Sequence, residues 1–194
     1  SRRSLVALLF TAALMPPTLA QTAGTKPALQ QLVAAESHIR FVSRQMGVPV
    51  QGQFRSFSIN SRFDPRNPAS SQVSLAIDLL STEIGNADTE RELRKPGWFD
   101  SARQPQATFT SSAVRALGAG RFELDGVLAI KGQTQKVTVP VALTRRAATT
   151  YADGTLQIRR MDFRIGDGEW NDLSIVANEV QVVFRLALTG VAPP

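Results

Sequence analysis

Apolar and polar side chains alternate with a period of two through most of this chain. The run near the C-terminus is the cleanest. Val180, Val182, Phe184, Leu186 and Leu188 fall on one face, and Glu179, Gln181, Arg185 and Ala187 on the other. The same period runs through Val73-Leu75-Ile77-Leu79, Phe122-Leu124-Leu128-Ile130 and Val137-Val139-Val141-Leu143, and briefly through Leu156-Ile158. Successive side chains of a strand point to opposite faces, so each run is a strand with one face to bury. Many such strands with few helices between them predict a sandwich or a closed barrel. A barrel of about eight strands has room inside for packed side chains or one small ligand.

The pattern places strands over residues 29–45 (kinked near Ala35), 54–63, 72–80, 106–117, 120–131, 133–144, 155–163 and 178–189. Gly47-Val48-Pro49 is read as a turn, as is Asp64-Pro65-Arg66-Asn67-Pro68. Lys131-Gly132 reads as a tight hairpin. Residues 86–95 are charged and helix-prone, and Pro96-Gly97 stops them. That is the one helix expected. Residues 147–153 read as a loop. Pro140 interrupts a strand pattern, which predicts an edge, a bulge or an unpaired position.

The N-terminus follows a different logic. Arg2 and Arg3 precede an apolar run over residues 5–15, and Thr18-Leu19-Ala20 offers small residues for cleavage. This is the form of a signal peptide over residues 1–20, and the run is too short to span a bilayer. Ser1-Arg2-Arg3-Ser4-Leu5 matches a twin-arginine signal only in part, so ordinary secretion is the preferred reading. Residues 21–31 form a polar leader, and residues 32–190 the domain. The expected location is therefore the periplasm or the exterior. Cleavage near Ala20 removes two arginines and lowers the net charge from +6 to +4. The arginines are scattered rather than blocked, which argues against a nucleic-acid partner.

The chemistry-bearing residues are few. The chain has no cysteine, and His38 is its one histidine, so neither a thiol–imidazole metal site nor a convincing triad can be built. No metal or catalytic residue is expected. His38 reads as an exposed strand residue. Asp78, Glu83, Asp88, Glu90 and Glu92 cluster in sequence beside Arg91, Arg94 and Lys95, as a solvated helix face does. A hydrolase using Asp78 or Glu83 is the weakest reading. Asp167, Glu169, Asn171 and Asp172 lack the spacing of a calcium loop. What remains is apolar interior surface. The expected lining is Ile39, Phe41, Phe54, Leu75, Ile77, Phe109, Leu128, Ile130, Val139 and Phe184, with Trp98, Phe99 and Trp170 at the mouth.

Ser37-x-Ile39-x-Phe41, Met46-Gly47-Val48, Gly52-x-Phe54-x-x-Phe57 and Phe63-Asp64-Pro65 resemble the opening of the YceI-like family. Pro105-x-Ala107-Thr108-Phe109-x-Ser111 resembles its central signature, residues 126–137 its hairpin, and Arg160-x-x-Phe163-x-Ile165-Gly166 its penultimate strand. The resemblance spans about residues 32–188. It implies an all-β, extended, eight-stranded antiparallel lipocalin-like barrel with one short helix between strands 3 and 4. It also implies an exported protein that holds a polyisoprenoid, ubiquinone-like or similar amphiphile in the barrel for carriage or storage, with no cofactor required. Where many relatives carry histidine, this chain has Gln45 and Glu92-Leu93. The Gly168-Glu169-Trp170 turn resembles a subgroup associated with membrane b-type cytochromes. The alternative reading is thus an interaction module for such a cytochrome, with a packed interior. The resemblance also allows a homodimer.

Overall fold

A computed structural model describes residues 30–193. The signal peptide and nearly all of the leader expected from sequence lie outside the described residues. The strands are β1 (Gln31–Leu32), β2 (His38–Gln45), β3 (Val48–Phe54), β4 (Phe57–Arg62), β5 (Gln72–Asp78), β6 (Thr82–Glu83), β7 (Gln106–Gly118), β8 (Arg121–Ile130), β9 (Gln133–Arg146), β10 (Thr149–Arg159) and β11 (Glu179–Thr189). Helix α1 (Ala87–Leu93) lies between β6 and β7. The strands form one antiparallel sheet in the order β4-β5-β7-β8-β9-β10-β11-β2-β3-β6, with β1 paired to β11. The sheet is curled into a half-barrel around the apolar faces of its strands.

This corrects the expected closed barrel of eight strands to an eleven-stranded sheet. Two of the three added strands arise at bends, and the third is the short β6. The strand expected over residues 29–45 breaks at the 3-10 turn Ala34–Glu36 into β1 and β2. The strand expected over residues 54–63 begins earlier, at β3, and breaks at Arg55-Ser56 before β4. At that corner Arg55 N–H donates to the Ser81 carbonyl at 3.1 Å, and Asp78 N–H donates to the Ser56 carbonyl at 2.9 Å. β3 pairs with β2 and β4 pairs with β5, so the chain itself, not a ladder, joins the two sides of the curl.

Two further expectations change. The first turn sits at Met46-Gly47, both with positive φ (47° and 80°), leaving Val48 and Pro49 in β3. The expected loop over residues 147–153 is mostly strand, because β10 starts at Thr149 and ends at Arg159 rather than running to residue 163. Asp153-Gly154 looks like a turn signal, but Gly154 serves packing. A Cβ there would lie 2.3 Å from Phe184 Cζ and 2.6 Å from the Pro140 carbonyl oxygen. Gly52 is filled in the same way by the Phe41 ring, and Gly126 by Phe109. A phenylalanine lying flat over a glycine of the next strand lets the sheet coil tightly. Pro140 pairs with Glu123 of β8, while the β9–β10 ladder begins one residue later at Val141.

α1 starts where the sequence implies. The Asn86 side chain accepts from Asp88 N–H and Thr89 N–H, satisfying two donors that a helix start leaves open. The solvated-face reading holds for its acids. Asp88 pairs with Arg91, and Glu92 pairs with Lys95 at 2.5 Å. Glu90 Oε1 accepts from Ile84 and Gly85 N–H, tying the helix to β6. The main core, including Phe63, Leu79, Phe99, Phe109, Phe122, Leu124 and Phe163, lies inside the curl. Phe63 and Phe122 pack edge to face with centroids 5.1 Å apart.

Candidate functional site

The curl encloses a cavity of about 530 Å³. Small-molecule pockets run from about 300 to 1,000 Å³. The period of two explains its wall, since every second residue of the long strands points inward. The structure puts all ten residues expected to line a tunnel on this one wall. Ile39, Phe41 and Phe54 come from β2 and β3, Leu75 and Ile77 from β5, and Phe109, Leu128, Ile130, Val139 and Phe184 from β7, β8, β9 and β11. Phe41, Phe54, Leu75, Ile77 and Phe184 are only half-buried although they face inward, because they border open space rather than other side chains. Ile59, Val73, Leu124, Val141, Leu156, Ile158, Val182 and Leu186 extend the same surface. Several belong to the alternating runs, so the same signal could have found them.

Aromatic rings shape one side. Phe54 packs between Phe41 and Phe99, at centroid distances of 5.4 and 6.4 Å. Trp98 and Trp170 lie 5.7 Å apart and bridge the turn after α1 and the loop after β10. Phe99 is buried, while both tryptophans are half-buried. Both indole Nε1 atoms are buried without an acceptor among the described residues. An unmet buried donor costs about 1–3 kcal/mol.

Polar side chains border the cavity as well. Ser43 and Gln45 at the end of β2, and Asp88, Thr89 and Glu92 of α1, also border the cavity, and all five retain solvent exposure. The opening therefore sits between the β2–β3 hairpin and α1. Sequence marked Gln45 as a departure from a pattern, and Glu92 as both such a departure and part of a solvated helix face. Their meeting at one rim follows from topology.

The residue that sequence reasoning left without a role is Arg160. It borders the cavity and is only 1% exposed. No carboxylate meets it among the described residues. Instead its five N–H groups find five carbonyls: Nε to Ala177 at 3.1 Å, Nη1 to Ile165 and Gly166 at 2.8 Å each, and Nη2 to Trp170 and Val176 at 2.8 Å each. Burial pushes its guanidinium below the usual arginine value. The side chain thus pins the loop that carries Trp170. Its signal was present, since Arg160 continues the inward register of Leu156 and Ile158. Lys131, whose side chain is 10% exposed, clips the same loop by donating to the Arg164 carbonyl at 2.6 Å and Asp167 Oδ1 at 3.2 Å.

Several other titratable groups have structural partners. Asp78 accepts from Leu80 N–H, and Glu83 pairs with Arg55 and accepts from Gln53. That Arg55 contact holds the Glu83 carboxyl below the usual range. Asp172 is taken by the backbone and hydroxyl of Ser174. His38 is half-buried on the opposite face of β2 from Ile39, and its pKa is lowered by burial and by Arg40 and Arg185.

Comparison with known proteins agrees with this architecture. The model of the YceI-like domain matches residues 30–188. Protein YceI of Escherichia coli O157:H7 is 26% identical over 197 residues, covering 95% of this chain and 96% of that protein. The crystal structure of Burkholderia cenocepacia BcnA superimposes with a TM-score of 0.78 at 41% identity, covering 81% of this chain and 99% of that one. A polyisoprenoid binding domain from Saccharophagus degradans, implicated in plant cell wall breakdown, has the same fold. Its TM-score is 0.66 at 20% identity, with coverage of 84% and 98%. With the domain model matching nearly the whole described region, the chain belongs to the YceI-like family.

Proposed function

We propose that this protein binds one long isoprenoid lipid, a ubiquinone-like molecule or a similar amphiphile, with its hydrocarbon chain inside the cavity. The observation that carries the reading is the cavity wall, which is built from the apolar faces of nearly every long strand. Each buried methylene contributes about 0.8 kcal/mol, so a five-carbon isoprene unit gains roughly 3–4 kcal/mol before costs. Such a chain is nearly insoluble alone, and the interior offers what water does not. Support also comes from the Saccharophagus domain of the same fold, which is a polyisoprenoid binder. Carriage or storage in the periplasm after export fits the N-terminal segment. The unmatched indole N–H groups of Trp98 and Trp170 suit a head group that bears a carbonyl.

The test is Leu128→Trp, which adds bulk to the wall. Ubiquinone uptake from ethanol should fall at least tenfold while the far-UV circular dichroism stays that of the wild type. Because extra volume in a packed site costs about 1–3 kcal/mol, Val182→Phe on a half-buried wall position serves as a second probe. Full uptake by both folded variants refutes the proposal.

A further inference from the structure

The rim of the cavity carries apolar side chains that no other described residue covers. Met46 is 72% exposed, Val48 63% and Leu173 50%. Met46 and Val48 form the tip of the β2–β3 hairpin, and Met46 N–H donates to the Ile175 carbonyl at 2.7 Å, which brings the Leu173 loop alongside. The opening of the cavity lies at this same hairpin, where Ser43, Gln45 and Val50 border it.

Met46 is also a costly choice for its position. With Gly47 it makes a two-residue turn in which both φ angles are positive. Such turns favour Asn, Asp or Gly at the first position. A methionine there gives up local stability and gains no packing, since its side chain is in solvent. Strain spent on an exposed apolar tip points to use against another apolar phase.

The hairpin that carries the tip is itself basic: β2 and β3 hold Arg40 and Arg44 and no acidic residue, while the carboxylates nearest the opening, Asp88, Glu92 and Asp172, are taken up by Arg91, Lys95 and Ser174. No carboxylate lies within ion-pairing distance of Arg40 or Arg44 among the described residues. Arg44 sits two residues from the tip and donates to the Gly47 carbonyl at 3.3 Å. At roughly 3.3 Å per residue, Arg44 stands about 7 Å behind Met46. Interfacial segments bury their apolar side about 5–10 Å deep, which would leave Arg44 at the level of the phosphates.

We propose that the β2–β3 hairpin docks on an anionic lipid bilayer, with Met46 and Val48 inserted and Arg44 on the lipid phosphates. The docked orientation sets the cavity opening against the membrane, so a lipid could pass between the two without crossing water. The inference rests on the lipid-binding reading, but its test does not use cavity occupancy.

The experiment is flotation with vesicles of phosphatidylglycerol and phosphatidylethanolamine, against phosphatidylcholine, using the protein in the form isolated from its native host. The wild type should float with the anionic vesicles. Met46→Asn/Val48→Thr should bind at least tenfold more weakly, and because asparagine suits the turn, its fold is retained. Arg44→Gln should lose about fivefold, with that loss vanishing in 0.5 M salt. A wild type that stays unbound, because the hairpin meets a protein or nothing, overturns the proposal. So does a double variant that floats as well as the wild type. Native mass spectrometry of the same samples reads cavity occupancy separately, so failure of docking and failure of lipid binding are distinguishable.

Discussion

Replacing Arg160 with methionine removes a charge that reaches no carboxylate and leaves five carbonyls, those of Ile165, Gly166, Trp170, Val176 and Ala177, without their donor. A buried polar group left unpaired costs about 1–3 kcal/mol, so five at the low end approach 5 kcal/mol. Two effects reduce this. Methionine restores much of the packing, and desolvation of the guanidinium, which already depresses its pKa, no longer opposes folding. A net loss of about 3 kcal/mol remains, a large part of the 5–15 kcal/mol that holds a typical domain. The loop need not wait for global unfolding, because freeing it returns its carbonyls to water. Urea unfolding would be followed by far-UV circular dichroism for the sheet and by fluorescence of Trp98 and Trp170 for the loop. These are the two tryptophans of the chain. The fluorescence midpoint should fall further than the circular-dichroism midpoint. Coincident transitions with a loss under about 1 kcal/mol would refute the assignment of Arg160 as the clasp of this wall.

Gly154→Ala places a methyl group 2.6 Å from a backbone oxygen that cannot swing away and 2.3 Å from the Phe184 ring, and should cost about 1–3 kcal/mol in a thermal or urea melt. An unchanged midpoint would contradict the packing account of that glycine. Asn86→Ala should cost about 1 kcal/mol by loss of the α1 cap, read from the same melts. The lowered pKa of His38 means that the native state resists protonation. Stability should therefore decline as pH falls below about 6.5 toward the lower native value, and His38→Gln should lose that part of the decline. Parallel pH profiles for wild type and variant would count against it.

Most of the wall was legible in the sequence because a single property decided it. Inward positions of a half-barrel are apolar and outward ones polar, so alternation alone separated Leu75 and Ile77 from their neighbours. Strand count was not legible. Arg55-Ser56 carries no strong turn signal, and its bend is set by backbone bonds to Asp78 and Ser81, far along the chain. The loop expected over residues 147–153 misled in the other direction, since the glycine that follows it, Gly154, packs closely under Phe184 within a strand. The rim was hidden for a third reason. Gln45 and Glu92 lie far apart in sequence, and only the pairing of β2 with β3 and the placement of α1 bring them to one opening.

The account stands most directly on whether the cavity of the native protein holds a lipid. Native mass spectrometry of protein isolated from its own host, followed by organic extraction of the same sample, measures this. The account predicts one stoichiometric adduct whose extract is a prenylated lipid, released as the protein unfolds. An adduct-free protein that also refuses added quinones would contradict it, and the cavity would then have to be explained without a lipid.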